Sequence, residues 1–584
     1  MKKVDRRNFM KAITTAPLIL SHRASLPETT HNVTPVHLGP VNLDPRFQLT
    51  LRRALSGDSP QYTHEFLLAD IKPTAERRFT EYSGDLSGRY IGALATAALV
   101  FGIEMPGLDS LVKEVIARQK PDGYFGSTFH FDNPTDADMA LLWGNGRLLV
   151  GLLEYHRYRP SQQVLTAAKR IGDFLLRVSP LMLSKPIRDA FRAQHFASSY
   201  ICWTQQTEGL ALLYSITKNE RYRELAESIA AVIERRPGDH VHGYLTSLRG
   251  VLDLHRLTHD PKLLHQCETS WQEITASRDL LLTGGVPEGW SPNNHRTEGC
   301  GEADWVRLNL ELWNATDNPR YLASAERAIF NEFAFNQFAT GDFGHRVYTD
   351  TGLPAAGAAR AWWCCTLHGL RCFPDITDNA FRATEAGISY EIPVDGKIES
   401  HSMSASAKSD LSHTGTVLIR ITRATKEKVR IAVRKPAWAE SVQLNPSGAA
   451  PRSDQTYVTA EKVWSAGELI EVKYEMKLRS ARTADDREVF WFGPWLLGAS
   501  AADNPAYFNE LTTQNRLFGP STPVRNSTPG KPETLSVPIA ATEIAYEQAE
   551  YPDQPGRVTL RAIAEQTAQP TTSWELRFLA RPHA

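Results

Sequence analysis

Four segments of the chain repeat one pattern, and that pattern constrains the fold more than any other feature. They are LLEYHRYRPSQQVLTAAKRIGDFLL from Leu152, LALLYSITKNERYRELAESIAAVI from Leu210, VLDLHRLTHDPKLLHQCETSWQEI from Val251 and NLELWNATDNPRYLASAERAIFNEF from Asn309. In each, a short apolar helix ends on an aromatic residue or a histidine: Tyr155, Tyr214, His255 and Trp313. Thr217, Thr258 and Thr316 follow three residues later in three of them. A polar turn comes next, with Asn219, Asp260-Pro261 or Asn318-Pro319, and then a second amphipathic helix begins. The turn residues stop the first helix, and proline suits the first turn of the second. The ending residues recur at intervals of 59, 41 and 58 positions.

A helical hairpin cannot bury its apolar face alone and must stack on its neighbours. Repeats of this size therefore build an open solenoid or a closed ring. Residues 90–119 read as an earlier member, so five or six pairs fit between about residues 60 and 380. That count favours a closed six-hairpin toroid, the (α/α)6 barrel. The alternative is a solenoid scaffold that binds protein.

After about Glu385 the period changes from that of a helix to that of a strand. Ile470, Val472, Tyr474, Met476 and Leu478 alternate with Glu471, Lys473, Glu475 and Lys477, the pattern of a half-buried strand. Residues 416–423, 427–434 and 487–499 also read as strands, with weaker patterns at 556–563 and 573–580. Residues 521–535 are a Pro/Ser/Thr-rich loop or linker. The fold class expected is α+β multidomain: an (α/α)6 barrel over 31–384, a β-sandwich domain over 385–484 and a second β region over 485–584.

The charge narrows the partners. Lys+Arg 65 against Asp+Glu 66 leaves a net charge of -1, so no global basic field exists to gather nucleic acid. Residues 1–30 read as an address. Arg6-Arg7-Asn8-Phe9-Met10 follows a basic start and precedes an apolar stretch from Ala12 to Leu20. This resembles a twin-arginine export signal, which carries proteins already folded to the periplasm or beyond. The apolar stretch is too short to span a membrane, and no other segment reads as a span.

The cysteines carry the chemistry. Four of the six, Cys300, Cys364, Cys365 and Cys372, lie between 300 and 372. Adjacent Cα atoms stand about 3.8 Å apart, below the usual disulfide range of about 4.4–6.8 Å, so Cys364 and Cys365 suit a soft metal better than a bond to each other. Glu298-Gly299-Cys300 adds a carboxylate and a thiolate just before the helical run 305–313, whose start would help hold both as anions. Three Cys and one Glu make a four-ligand set suited to tetrahedral zinc; a group of inert buried thiols is the alternative. Cys202 and Cys267 sit in the helical repeats and read as packing residues.

Glu298-x-Cys300 followed by Cys364-Cys365 resembles glycoside hydrolase family 127 and its relatives, the β-L-arabinofuranosidase-like proteins. Pro121-Asp122-Gly123-Tyr124-Phe125-Gly126 is similar to the family's PDGYLG-type loop, and Thr283-Gly284-Gly285 with Glu288 to its TGG…GE segment. Arg434-Lys435-Pro436-Ala437-Trp438 and Gly493-Pro494 are similar to motifs of its β region. The resemblance implies a retaining glycosidase acting on a carbohydrate. Glu298, Cys300, Cys364 and Cys365 would hold Zn2+, with Cys364 also the nucleophile and Glu288 the general acid/base. Glu302 and Asp304 compete with Glu288 for that role. Arg147, in Trp143-Gly144-Asn145-Gly146-Arg147, stands where family members often carry a histidine. A second family histidine has no counterpart in 200–208, which offers Trp203, Gln205 and Gln206. A third survives as His240, with His242 its rival. Trp143, Trp203, Trp290, Trp362 and Trp363 are candidate sugar platforms, because a flat indole packs on the apolar face of a sugar. Two other readings share these residues: carboxylate-only chemistry beside a structural zinc, or a secreted glycan-binding protein without turnover.

Overall fold

The computed structural model describes residues 45–505 apart from 58, 75–80, 195–197, 278–279, 291–295, 350–351, 354–359 and 486. Beyond 505 it describes 507–508, 516–517, 524–525, 542–548, 556–565 and 573–579. The export signal read at 1–30 and most of the 521–535 linker lie outside the described residues.

Twelve of the described helices form a closed double ring. The inner ring consists of α2 (Asp85–Phe101), α4 (Asp136–Tyr158), α6 (Gln206–Thr217), α8 (Val241–Thr258), α10 (Gly299–Thr316) and α12 (Trp363–Asp378). Each packs on the next, and α12 packs back on α2. Five outer helices follow their inner partners directly: α3 (Leu108–Ile116), α5 (Gln162–Met182), α7 (Glu220–Ala230), α9 (Pro261–Ala276) and α11 (Pro319–Ala328). The sixth outer helix is α1 (Pro45–Leu55), which packs on α12. The chain thus forms the six pairs expected, and it closes the ring with a helix that lies before residue 60, ahead of the counted repeats.

The repeated threonine and Asx residues turn out to be one turn used three times. Lys218, His259 and Asp317 end their inner helices in the left-handed region, with φ of 55°, 59° and 56°. The next residue, Asn219, Asp260 or Asn318, caps the outer helix by accepting from the N–H two residues on, at 3.2, 2.9 and 3.2 Å. Thr217, Thr258 and Thr316 accept the N–H of that same capping residue. Where α2 crosses α4 there is no room for a side chain. A Cβ on Gly88 of α2 would stand 2.5 Å from the backbone of Leu148 in α4.

The inner ring is filled by charge as well as by apolar packing. Glu208 of α6 meets Arg147 of α4, Arg249 of α8 and Arg371 of α12, each at 3.2 Å. Arg249 also reaches Asp304 and Glu311 of α10, and Arg371 reaches Glu154 of α4. Burial alone would raise the Glu208 carboxyl. Arg371, Arg249 and Arg147 override it and hold it down at about 2.

The helical region ends at Asp378, and strands begin at Phe381. Two five-stranded sheets face each other across Ile388, Ile419, Ile431, Val433, Ile470 and Val472. Alternation along 469–475 is as the sequence predicts: Ile470, Val472 and Tyr474 face in, and Glu471, Lys473 and Glu475 face out. The 487–499 run differs from a simple strand. It folds into a hairpin, Arg487–Phe492 against Trp495–Ser500, because Gly493 turns at φ 53° and Pro494 has no N–H for a ladder. These two strands belong to a further sheet that follows the sandwich. Asn331, just after α11, ties this hairpin to the barrel: its Oδ1 accepts Leu496 N at 2.6 Å and its Nδ2 donates to Pro494 O at 2.9 Å. Arg434, from the RKPAW motif, pairs with Glu326 of α11. Among the described residues, no helix is long and apolar enough to cross a membrane.

Removing the Glu208 charge leaves three guanidinium groups buried without their shared partner. We expect Glu208→Gln to cost about 3–5 kcal/mol at neutral pH. The folded carboxyl sits near 2, below its ordinary value of 4.5. Its contribution is therefore complete above about pH 5 and lost as pH falls towards 2. Urea denaturation at pH 7 and at successively lower pH should show the gap between wild type and variant narrowing on acidification.

Candidate active site

The N-termini of α10 and α12 converge at one mouth of the barrel. Glu298 caps α10 and Cys300 lies in its first turn, while Cys364 and Cys365 lie in the first turn of α12. Their four donor atoms stand within 4.8 Å of one another. Cys364 Sγ is 3.9 Å from Glu298 Oε1 and 4.0 Å from Cys365 Sγ, and Cys365 Sγ is 3.9 Å from the same Oε1. Two helix starts thus meet at the cluster, and their dipoles favour negative charge there. The sequence expects Glu298 and Cys300 just ahead of a helix at 305; the helix in fact starts at Gly299. The arrangement could hold a metal ion, with three soft donors and one hard one.

The three thiols are not equivalent. Cys300 and Cys365 are 0% exposed, whereas Cys364 keeps 8%. Burial pushes all three thiols up. For Cys364, hydrogen bonds from Cys300 and Cys365, with help from Arg89, reverse this and bring it down to about 5. Cys300 and Cys365 remain well above the ordinary thiol value.

A ring of basic groups surrounds the cluster. His240 Nε2 donates to Glu298 Oε2 at 2.7 Å. Burial would raise the Glu298 carboxyl, but His240 wins and holds it far below the usual range. Arg89 Nη1 donates to Cys300 Sγ at 3.6 Å and to His368 Nδ1 at 2.8 Å. Asp85, one turn earlier on α2, fixes that guanidinium through Nε at 2.7 Å. The same Asp85 oxygen accepts Trp143 Nε1 at 3.0 Å, which sets the indole against His240 and His242.

Glu288 reaches the cluster from the loop that precedes α10. Its carboxylate lies within 4.8 Å of the His240 and Glu298 donor atoms. The backbone explains the placement: Glu288 N donates to Arg296 O at 2.8 Å, and Pro287 bridges to Thr297. Arg296 pairs with the Glu288 carboxylate, and His345 Nε2 stands 3.7 Å from it. His345 is brought there by strand pairing, because β1 (Arg296–Glu298) lies antiparallel to β2 (Gly344–Val347) with Glu298 opposite His345. The rival carboxylates are sealed in. Asp304 is 0% exposed and accepts from His242, Thr246 and Arg249 at 2.6, 2.8 and 3.2 Å. Glu302, also 0% exposed, accepts Val286 N, and burial beside Glu332 pushes its carboxyl well up.

Arg147 points along the barrel interior to Gln205 and Glu208 and is 3% exposed. Trp290 is buried between Tyr244 and Arg235, with backbone φ 36°. Trp203 is wholly buried. Trp362 and Trp363 are half-buried, with rings 6.3 Å apart and close to parallel. Cys202 and Cys267 are buried in the helical core, and Cys372 donates to Ala303 O. Sequence reasoning missed Asp85, Arg89, His345 and His368. Asp85 and Arg89 had a legible signal, two opposite charges one turn apart in an otherwise apolar helix. His345 had none, since it faces Glu298 only through pairing of distant strands.

Comparison with known proteins agrees with this architecture. Residues 77–378 match the family model "Beta-L-arabinofuranosidase, GH127 catalytic domain". Residues 391–476 match "Beta-L-arabinofuranosidase, GH127 middle domain". No curated protein matches the chain. A solved GH127 β-arabinofuranosidase superposes with a TM-score of 0.70 at 15% identity, over 92% of this chain and 95% of that one. A solved glycoside hydrolase gives 0.69 at 15% identity, over 92% and 95%. A GH127 β-L-arabinofuranosidase from Geobacillus stearothermophilus T6 gives 0.66 at 14% identity, over 94% and 96%. At these identities the likeness speaks for the fold, an (α/α)6 barrel followed by β-sheet domains. Because the catalytic-domain model alone spans more than half of the 584 residues, the chain belongs to glycoside hydrolase family 127 and is a glycosidase.

Proposed function

We propose that this chain is a retaining β-L-arabinofuranosidase-like enzyme in which Cys364 is the nucleophile and Glu288 the general acid/base. One observation carries the reading: Cys364 is the member of the thiol cluster with surface left open, and the Glu298 carboxylate has both Cys364 and Glu288 among its near neighbours. The family model's own description supplies the sugar class.

The donor set fits zinc. Zn–S bonds of about 2.3 Å in a tetrahedron put sulfur atoms about 3.8 Å apart. The Cys364–Cys365 separation of 4.0 Å lies close to that edge length, and the two Cys–Glu298 separations of 3.9 Å lie a little beyond the S–O edge of about 3.5–3.7 Å. Glu298, Cys300, Cys364 and Cys365 would hold the ion, which when bound keeps the thiols deprotonated. The chemistry then belongs to the side chains. Cys364 Sγ attacks the anomeric carbon, and a C–S bond forms as the glycosidic C–O bond breaks. Glu288, protonated, gives its proton to the departing oxygen. In the second half Glu288 takes a proton from water, the water oxygen bonds to the same carbon and the thiolate leaves. Two inversions return the starting configuration. Arg296 and His345 orient the Glu288 carboxyl, and Trp143, braced by Asp85, packs against His240.

A 4-nitrophenyl β-L-arabinofuranoside tests this directly. Wild type should contain one zinc per chain and release product of retained configuration, followed by NMR. Cys364→Ala should lose about 10³-fold or more in kcat while remaining folded. Glu288→Gln should lose about 10²–10⁴-fold on substrates with poor leaving groups. A strong chelator should remove zinc and turnover together, and added zinc should restore both. Turnover indifferent to Cys364 would instead favour carboxylate chemistry beside a structural ion.

We also read residues 1–30 as a twin-arginine signal that exports the chain after folding, which would let the thiols reach an oxidising compartment already protected. Arg6→Lys combined with Arg7→Lys should trap the full-length protein in the cytoplasm, as fractionation and immunoblotting would reveal.

A further inference from the structure

The two backbone segments that place Glu288 share one buried anchor. Thr283 and Gly285 lie on the approach to Glu288, and Thr297 lies on β1, to which Glu288 is hydrogen-bonded. Thr283 Oγ1 donates to Glu332 Oε2 at 2.5 Å, and Thr297 Oγ1 donates to Glu332 Oε1 at 2.9 Å. The hydroxyl of Tyr348, just past β2, donates to the same carboxylate. Glu332 is 0% exposed, and three hydroxyls meet its carboxyl oxygens in place of water. The intervening backbone lies flat on it. A Cβ on Gly285 would stand 2.4 Å from Glu332 Cγ, and Gly284 turns at φ 83°. The Thr-Gly-Gly motif is thereby accounted for residue by residue.

Glu332 belongs to a single π turn, Ile329–Phe333, at the end of α11. An extra residue in the helical turn rotates neighbouring side chains apart, and such turns recur at functional sites. Here Asn331 grips the Gly493-Pro494 hairpin of the β region, while Glu332 accepts from Thr283 and Thr297, which flank the Glu288 loop. Two sequence motifs some 200 residues apart, at 283–285 and 493–494, thus meet on consecutive residues.

We propose that Glu332 is a positioning residue for the acid/base, and that Asn331 makes its placement depend on the β region. The proposal rests on the reading of Glu288 as the acid/base. It predicts a defect in proton delivery with the thiol centre left intact. The test compares kcat/KM for two β-L-arabinofuranosides in the full-length protein. One carries a dinitrophenolate leaving group that needs no proton; the other carries a sugar alcohol that does. Glu288→Gln should lose about 10²–10⁴-fold on the second and little on the first. Thr283→Val and Glu332→Gln should show the same selective loss, of about tenfold or more, with zinc content unchanged by metal analysis. Asn331→Ala should shift in the same direction by a smaller factor. If Glu332→Gln fails to fold, Thr283→Val and Asn331→Ala carry the test. Equal losses on both substrates, loss of zinc, or no change in either variant would overturn the positioning role while Glu288→Gln still shows its selectivity. A Glu288→Gln enzyme without leaving-group selectivity would overturn the reading of Glu288 and this proposal with it.

Discussion

Charge taken out of water has to be met by charge or by hydrogen-bond donors, and that requirement organises this protein from its axis to its mouth. A lone buried ion costs several kcal/mol, so Glu208 and Asp304 inside the ring have cations close by. Glu208 draws arginines from three different inner helices. At the mouth the problem is sharper, because one carboxylate and three thiols crowd within 4.8 Å. Two helix N-termini, Arg89 and His240 face them. The same balance places the surrounding groups, since Asp85 that holds Arg89 also holds Trp143.

The second organising element is the α11 helix and its π turn. Glu326, Asn331 and Glu332 lie within one short stretch and contact three different parts of the chain: the sandwich, the hairpin after it, and the loop before α10. The β region is therefore joined to the barrel through hydrogen bonds next to the site as well as through apolar packing. This gives the helical and β parts a shared structural reason to remain together in a family whose catalytic and middle domains both match this chain.

Much of the fold was legible because repetition and periodicity are local. The Thr-x-Asx turns at 217–219, 258–260 and 316–318 mark three helix junctions in the sequence, and each proves to be the same left-handed turn and cap. Strand alternation at 470–475 was equally plain. The 487–499 hairpin was less so, because its apolar residues run on across the turn and only Gly493-Pro494 betrays the bend. The sixth outer helix escaped the repeat count because α1 lies before the repeats and meets α12 only when the ring closes.

For the site, residue chemistry and spacing brought forward Glu298, Cys300, Cys364 and Cys365, since adjacent cysteines and a Glu-x-Cys ahead of a helix are unusual in a chain with only six cysteines. Glu288 came forward from its loop and the family motif. Local sequence could not separate it from Glu302 and Asp304. That distinction is tertiary: the hydrogen bond from Glu288 N to Arg296 O and the neighbouring Pro287–Thr297 bridge set Glu288 at the mouth, while helix α10 carries the other two into the packed interior. His345 and Arg89 likewise join the cluster through strand register and ring closure. The sequence by itself determined which kinds of element form and which donors are available, because propensity, capping and ligand chemistry act over a few residues. Only the tertiary structure decided which donors share one desolvated space, because that depends on contacts between segments up to 279 positions apart, as between Arg89 and His368.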